Sequence, residues 1–280
     1  MAEGGTHPAP QPPSRITVGV SLKLYLDVAE TTQWARKVAT IARNNSAVRE
    51  GRVRLFVMPS FPALTAVHTA LAGTRVQLGA QNLHWEDRGP YTGEVSGADL
   101  RAVGCGLVEV GHAERRASFG ESEDVVRDKL TAAVRNGLVP VLCIGEETQL
   151  GIVEAVAECA AQLRSALAGL PAESRSEVIV AYEPVWAIGK KEPADAAHVR
   201  GVVAQLRNVL ADDGRIPVFS VIYGGSAQRG TLNGLGGAVD GLFLGRFAHD
   251  TAELARVIDE AASLTEFPGR NDGFAADVRR

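Results

Sequence analysis

A chain of 280 residues, 45% apolar and 22% charged, has the make-up of an ordinary globular protein with one large core or two small ones. Its formal charge of -4 gives it no general attraction to nucleic acid or to an anionic membrane surface. No segment approaches the roughly 18 apolar residues of a membrane helix, and Cys105, Cys143 and Cys159 leave an odd thiol with no metal-site spacing, which reads as reduced thiols in the cytoplasm.

Residues 1–14, rich in Gly and Pro and without an apolar run, read as a disordered tail and not as a signal peptide. A single domain is expected over 15–264, with a polar tail over 265–280. Ile16–Val20 reads as a first strand leading into Ser21-Leu22-Lys23, followed by a helix over about 29–43. Val53–Met58 and Val76–Ala80 read as the second and third strands, with a helix over 61–72 between them. The polar, Gly-rich stretch 81–97 is too long for a simple connector and points to function. His84, Glu86 and Asp87 within it read as a solvated loop in preference to a metal site.

Leu107–Val110 is a fourth strand, ending in Gly111-His112-Ala113-Glu114-Arg115-Arg116. A helix is predicted over 122–136 with Gly137 at its end, then a fifth strand over 139–144. Ile152, Val156, Cys159 and Leu163 share one helical face. Val178-Ile179-Val180-Ala181 has no alternation, as expected of a strand buried on both faces, and it delivers Glu183 where Pro184 must end the ladder. Val199, Val203, Leu206 and Leu210 mark the next helix. Val218–Ile222 and Gly241–Leu244 are the last two strands, leading into Tyr223-Gly224-Gly225-Ser226 and Gly245-Arg246, and a helix over 252–264 closes the pattern.

Eight strands alternating with eight helices at about 30-residue spacing predict a single-domain α/β fold, a (β/α)8 barrel. A doubly wound open sheet would place its Gly-rich turn after the first strand, whereas here the Gly-rich turns follow strands seven and eight. In a barrel, Lys23, His112, Glu183, Gly189, Ser226 and Gly245 share the C-terminal rim. A cation, an imidazole and a carboxylate beside phosphate-binding turns suggest proton transfer on a small phosphorylated substrate. Glu183 would remove a proton from carbon beside a carbonyl, His112 would polarise that carbonyl, and Lys23 would offset the charge of the enediolate and the phosphate. Backbone N–H groups at Gly189, Ser226, Gly245 and Arg246 would hold phosphate oxygens. Taken singly, a lysine after a strand is ordinarily solvated and His112 with Glu114 could be a structural pair. No metal and no organic cofactor is required. A Schiff-base aldolase on this fold would want a buried lysine where the chain has Glu183.

The motifs Gly111–Arg116, Ala181–Gly189 and Tyr223–Ser226, with Thr92–Ser96 and Cys143–Glu146, resemble those of the triosephosphate isomerase family over about 15–264. The resemblance implies a TIM barrel and assigns the base to Glu183 and a neutral electrophile to His112, the roles for which triosephosphate isomerase is itself the standard example of pKa tuning. It implies that Glu114 is a buried partner of Lys23, that Gly189 belongs to a loop closing over substrate, and that the Thr92 loop reaches into a neighbouring subunit of a homodimer. Departures accompany it. Ser21 stands where the family usually has Asn, Ala113 where it has Ser, the closing loop around Lys190-Lys191-Glu192-Pro193 is shorter, and Arg246 follows Gly245 where a second Gly is usual.

The proton-transfer groups are thus kept while the substrate envelope has changed. The expectation is a ketose phosphate carrying one more CH2OH, erythrulose 1-phosphate converted to erythrulose 4-phosphate, with Ser21 and Arg246 contacting substrate. Such tetrulose-phosphate isomerases of sugar-alcohol catabolism are a branch of the family. A triosephosphate isomerase of glycolysis is the alternative, and an inactive binding or scaffold barrel a minor one.

Overall fold

A computed structural model of the protein describes residues 15–190 and 193–265. The two tails anticipated from sequence lie outside this range, except that the last helix continues through Thr265.

Eight strands close into an all-parallel barrel in sequence order: β1 (Ile16–Ser21), β2 (Val53–Met58), β3 (Gln77–Ala80), β4 (Leu107–Val110), β5 (Val139–Ile144), β6 (Glu177–Tyr182), β7 (Val218–Tyr223) and β8 (Gly241–Leu244), with β8 pairing back onto β1. The helices are α1 (Val28–Asn44), α2 (Ser46–Glu50), α3 (Leu64–Leu71), α4 (Gly97–Ala102), α5 (Ala113–Phe119), α6 (Glu123–Arg135), α7 (Ile152–Leu167), α8 (Ala196–Ala211), α9 (Thr231–Leu235) and α10 (Thr251–Thr265). The predicted (β/α)8 barrel is the observed fold. The helical count differs from the expected eight. The short α2, α4, α5 and α9 span under two turns each and give no 3.6-residue pattern to read.

Local signals explain the long helices. Asp27 caps α1 and Glu30 returns the bond to the Asp27 backbone, so the chain turns from the Lys23 loop into the helix at a fixed residue. Ser122 caps α6, and Gly137, at a φ of 66°, ends it in the left-handed region. Val38, Ala39 and Ala42 of α1 and Val203, Leu206 and Leu210 of α8 bury one stripe each against the sheet.

The barrel interior is a second, separate core: Phe56, Met58, Leu107, Val141, Cys143, Ile179, Ala181, Ile222 and Phe243. Phe56 and Phe243 stack with centroids 5.9 Å apart. They fit because β1 presents Gly19 opposite both, where a Cβ would lie 2.1 Å from the Phe56 ring. At the N-terminal end the interior is polar, with Arg54 bonded to Gln77 at 2.6 Å and paired with Glu177. The apolar plug thus separates a structural ion pair at one end from the cleft at the other.

The long third loop is not simply solvated. Asn82, Leu83 and His84 are buried, and His84 packs on Trp85 and Tyr91 with centroids 4.2 Å from each. The solvated-loop reading of His84 is therefore corrected, since two aromatic neighbours in the same loop fold over the ring. Among the described residues no cluster of His, Cys, Asp or Glu could hold a metal ion, and no helix is long and apolar enough to cross a membrane.

Candidate active site

The C-terminal rim encloses a cleft of about 410 Å³, and each candidate catalytic and substrate-binding residue lines it: Ser21, Lys23, His112, Glu114, Glu183, Gly189, Ser226, Gly245 and Arg246. Glu183 follows β6 directly. Its backbone N–H donates to Ile144 O at 2.8 Å, which ties it to the end of β5, and Pro184 then turns the chain away. The side chain is 5% exposed, and its Oε2 lies 3.4 Å from His112 Nε2 with no hydrogen-bond partner among the described residues. Gly224, at the end of β7, makes room for it, because a Cβ there would lie 2.3 Å from Glu183 Oε1.

His112 caps α5. Its Nδ1 accepts the Glu114 backbone N–H at 3.1 Å. A nitrogen that accepts carries no proton, so a singly protonated ring would hold its proton on Nε2, facing the cleft. The amino group of Lys23 approaches the same Nε2 to 3.3 Å and bonds to Glu114 Oε1 at 2.5 Å. Lys23 adopts a φ of 52°, uncommon for a side chain other than Gly and the kind of local strain that collects at working sites. Burial pulls its ammonium down, but Glu114, Glu183 and Glu109 together leave it above its ordinary value. The lysine stays charged, and its amino group lines the cleft beside His112.

One expectation is corrected here. Glu114 is not buried, since its side chain is 54% exposed. It stands on the first turn of α5, a short helix that buries none of its residues, and Lys23 reaches outward to meet it.

On the far side of the cleft, Ser226, at a φ of 57°, donates from Oγ to Ala187 O at 2.7 Å, joining the turn after β7 to the segment after β6. Ser226, Gly245 and Arg246 close the cleft there, and the Arg246 guanidinium lies 5.9 Å from the Tyr25 ring centroid. Gly189, at a φ of 70°, and Lys190 stand exposed above them.

Sequence reasoning missed two groups. Glu146, fully buried at the end of β5, accepts from Tyr182 Oη at 3.1 Å and from Trp186 Nε1 at 2.9 Å, and its Oε1 lies 2.9 Å from His198 Nε2. It anchors the first residues of the segment that carries Gly189. Glu109, 3% exposed on β4, accepts the Ser21 hydroxyl at 2.8 Å, and its Oε1 lies 3.8 Å from His112 Nε2. A charge in the otherwise apolar Leu-Val-Glu-Val of a strand buried on both faces was the available signal.

The triosephosphate isomerase family model matches residues 16–261. The chain is similar to an L-erythrulose-1-phosphate isomerase of Pectobacterium atrosepticum, 46% identical over 252 residues, 90% of this chain and 97% of that one. It is similar to another of that name from Mycolicibacterium smegmatis, 39% identical over 89% of this chain and 94% of that one. A triosephosphate isomerase of Moorella thermoacetica is 38% identical over 82% of this chain and 93% of its own. With a closed eight-stranded barrel and a family match over nearly the whole described chain, the protein is an isomerase belonging to the triosephosphate isomerase family.

Proposed function

We propose that the protein converts L-erythrulose 1-phosphate to D-erythrulose 4-phosphate through an enediolate. Glu183 removes the proton from the carbon bearing the CH2OH group. The neutral His112 donates from Nε2 to the adjacent carbonyl oxygen, and Lys23 offsets the negative charge that develops there. Return of the proton to the neighbouring carbon moves the carbonyl one position along the chain, with no net change in oxidation state. The phosphate sits against the backbone of Ser226, Gly245 and Arg246, with Gly189 completing the site when its segment closes and shields the enediolate from water.

The observation that carries the four-carbon reading is the position of Ser21. A short side chain lines the cleft and its hydroxyl donates to Glu109, and a substrate with one more CH2OH needs a small residue beside its reacting carbons. The names of the Pectobacterium and Mycolicibacterium relatives support it. The second reading, a triosephosphate isomerase, is favoured by the complete Lys23–His112–Glu183 set and by the name of the Moorella relative.

Paired steady-state assays on one preparation decide between them. The kcat/KM for L-erythrulose 1-phosphate is expected to exceed that for dihydroxyacetone phosphate by at least about a hundredfold, within the range a missing group can produce. Equal or better turnover of dihydroxyacetone phosphate overturns the four-carbon reading. The tautomer of His112 is open to a separate check. Nitrogen-15 NMR with a bound phosphate-bearing inhibitor is expected to show the proton on Nε2 alone, and a doubly protonated ring would contradict the proposed electrophile.

The protein is further proposed to act as a homodimer, with Thr92 at the exposed tip of the third loop entering the neighbouring subunit. Leu24, Tyr25, Tyr91 and Phe119 are exposed on loops or a helix at the same C-terminal end of the barrel, where such a partner would cover apolar surface.

A further inference from the structure

The other buried ionic groups away from the cleft serve the fold. Arg54 pairs with Glu177 across the barrel bottom, Lys129 bonds to Glu121 and Asn82, and Glu146 gathers Tyr182, Trp186 and His198. Glu109 differs. It is 3% exposed, and among the described residues only the Ser21 hydroxyl is within hydrogen-bond distance of its carboxylate. It faces the barrel interior, on the same face of β4 as Leu107, one layer above the Phe56–Phe243 plug. Its Oε1 and Glu183 Oε2 approach His112 Nε2 from two sides, at 3.8 and 3.4 Å. Placing a second carboxylate beside the one that must act as base is unfavourable for folding. Burial pushes the Glu109 carboxyl above its ordinary range, and the charge of Glu183 raises it further. An apolar residue would fill this place at lower cost.

We propose that Glu109, together with Ser21, is the receptor for the terminal hydroxymethyl group of the substrate. The inference rests on the four-carbon reading above. The rim order gives the geometry. The phosphate lies against the turns after β7 and β8, and β4 stands diametrically across the closed barrel from β8. The reacting carbons lie between Glu183, His112 and Lys23. The end of the substrate remote from phosphate therefore projects toward β4, at the barrel axis, where Ser21 of β1 and Glu109 of β4 meet across the interior. Ser21 spends its only proton on Glu109 Oε2. Glu109 Oε1 and the lone pairs of Ser21 remain to accept from an incoming hydroxyl. A hydroxyl donating to a carboxylate in a buried site makes a short, charge-assisted bond. A three-carbon substrate has a hydrogen in that place and leaves the carboxylate unmet. Sites built to bind a hydroxyl reject analogues lacking it far more strongly than a missing methylene alone would explain.

The test compares L-erythrulose 1-phosphate, its 4-deoxy analogue and dihydroxyacetone phosphate on the wild-type enzyme and on Glu109→Leu. Wild type is expected to lose at least about a hundredfold in kcat/KM on the deoxy analogue relative to the parent. Glu109→Leu is expected to compress that gap to within about tenfold, because it loses more activity on the hydroxylated substrate than on the deoxy analogue or on dihydroxyacetone phosphate. Equal wild-type turnover of the parent and deoxy compounds overturns the receptor, and so does a Glu109→Leu variant that falls equally on all three. The deoxy comparison needs no variant, so it can overturn the receptor even if Glu109→Leu does not fold. Wild-type preference for dihydroxyacetone phosphate would instead remove the function proposed above. Preference for the tetrulose with an indifferent response to the deoxy analogue removes this inference alone.

Discussion

Glu183→Gln is expected to lower kcat on the order of 10³-fold while KM changes by less than about threefold, because the amide keeps the shape of the carboxylate and cannot take a proton. The geometry makes this a strong expectation. Glu183 Oε2 is buried and unpartnered among the described residues, so it enters no structural bond whose loss would disturb the fold. Its backbone is fixed to Ile144 and its carboxylate is confined by Gly224. An effect confined to kcat identifies a group whose contribution appears only in the transition state. Retention of activity within tenfold of wild type would remove Glu183 from the mechanism. A loss that appears in KM instead would make it a binding group.

The contrast between what was legible and what was not follows from the range of the interactions. The barrel could be read because each of its strands is a short apolar run bounded by turns, and β6 is apolar without alternation because it is buried on both faces. The position of the cleft followed from topology. Side chains at the C-terminal ends of parallel strands in a closed barrel converge, whatever their separation in sequence. The pairing of Ser21 with Glu109, 88 residues apart, was not legible, because it depends on which strands face one another across the axis. Glu146 was visible as part of a motif, but its role was not, since its partners come from β6, the segment after it and α8. The exposure of Glu114 was unreadable for a related reason. A charge on a one-turn helix start gives no sign of whether another element will cover it.

Lys23→Met is expected to reduce kcat/KM by about 10²–10³-fold, the scale set by losing one preorganised group that meets developing negative charge. Two terms contribute in the same direction. Lys23 lies among Glu109, Glu114 and Glu183, so its removal leaves these carboxylates without the cation between them, which disfavours a phosphorylated substrate, and KM rises. It is also the cation nearest His112 Nε2, at 3.3 Å, so the enediolate oxygen loses its counter-charge and kcat falls. The competing account is that Lys23 matters only because its bond to Glu114 holds the start of α5, and with it His112, in place. Glu114→Gln separates the two. Its carboxylate is 54% exposed, and an ion pair so open to solvent is worth no more than about 1 kcal/mol, so the variant should melt close to wild type and lose at most about tenfold in kcat/KM. A Glu114→Gln enzyme as impaired as Lys23→Met would show that the lysine acts through α5 and not on the substrate. A large gap between the two places the ammonium on the reacting oxygen.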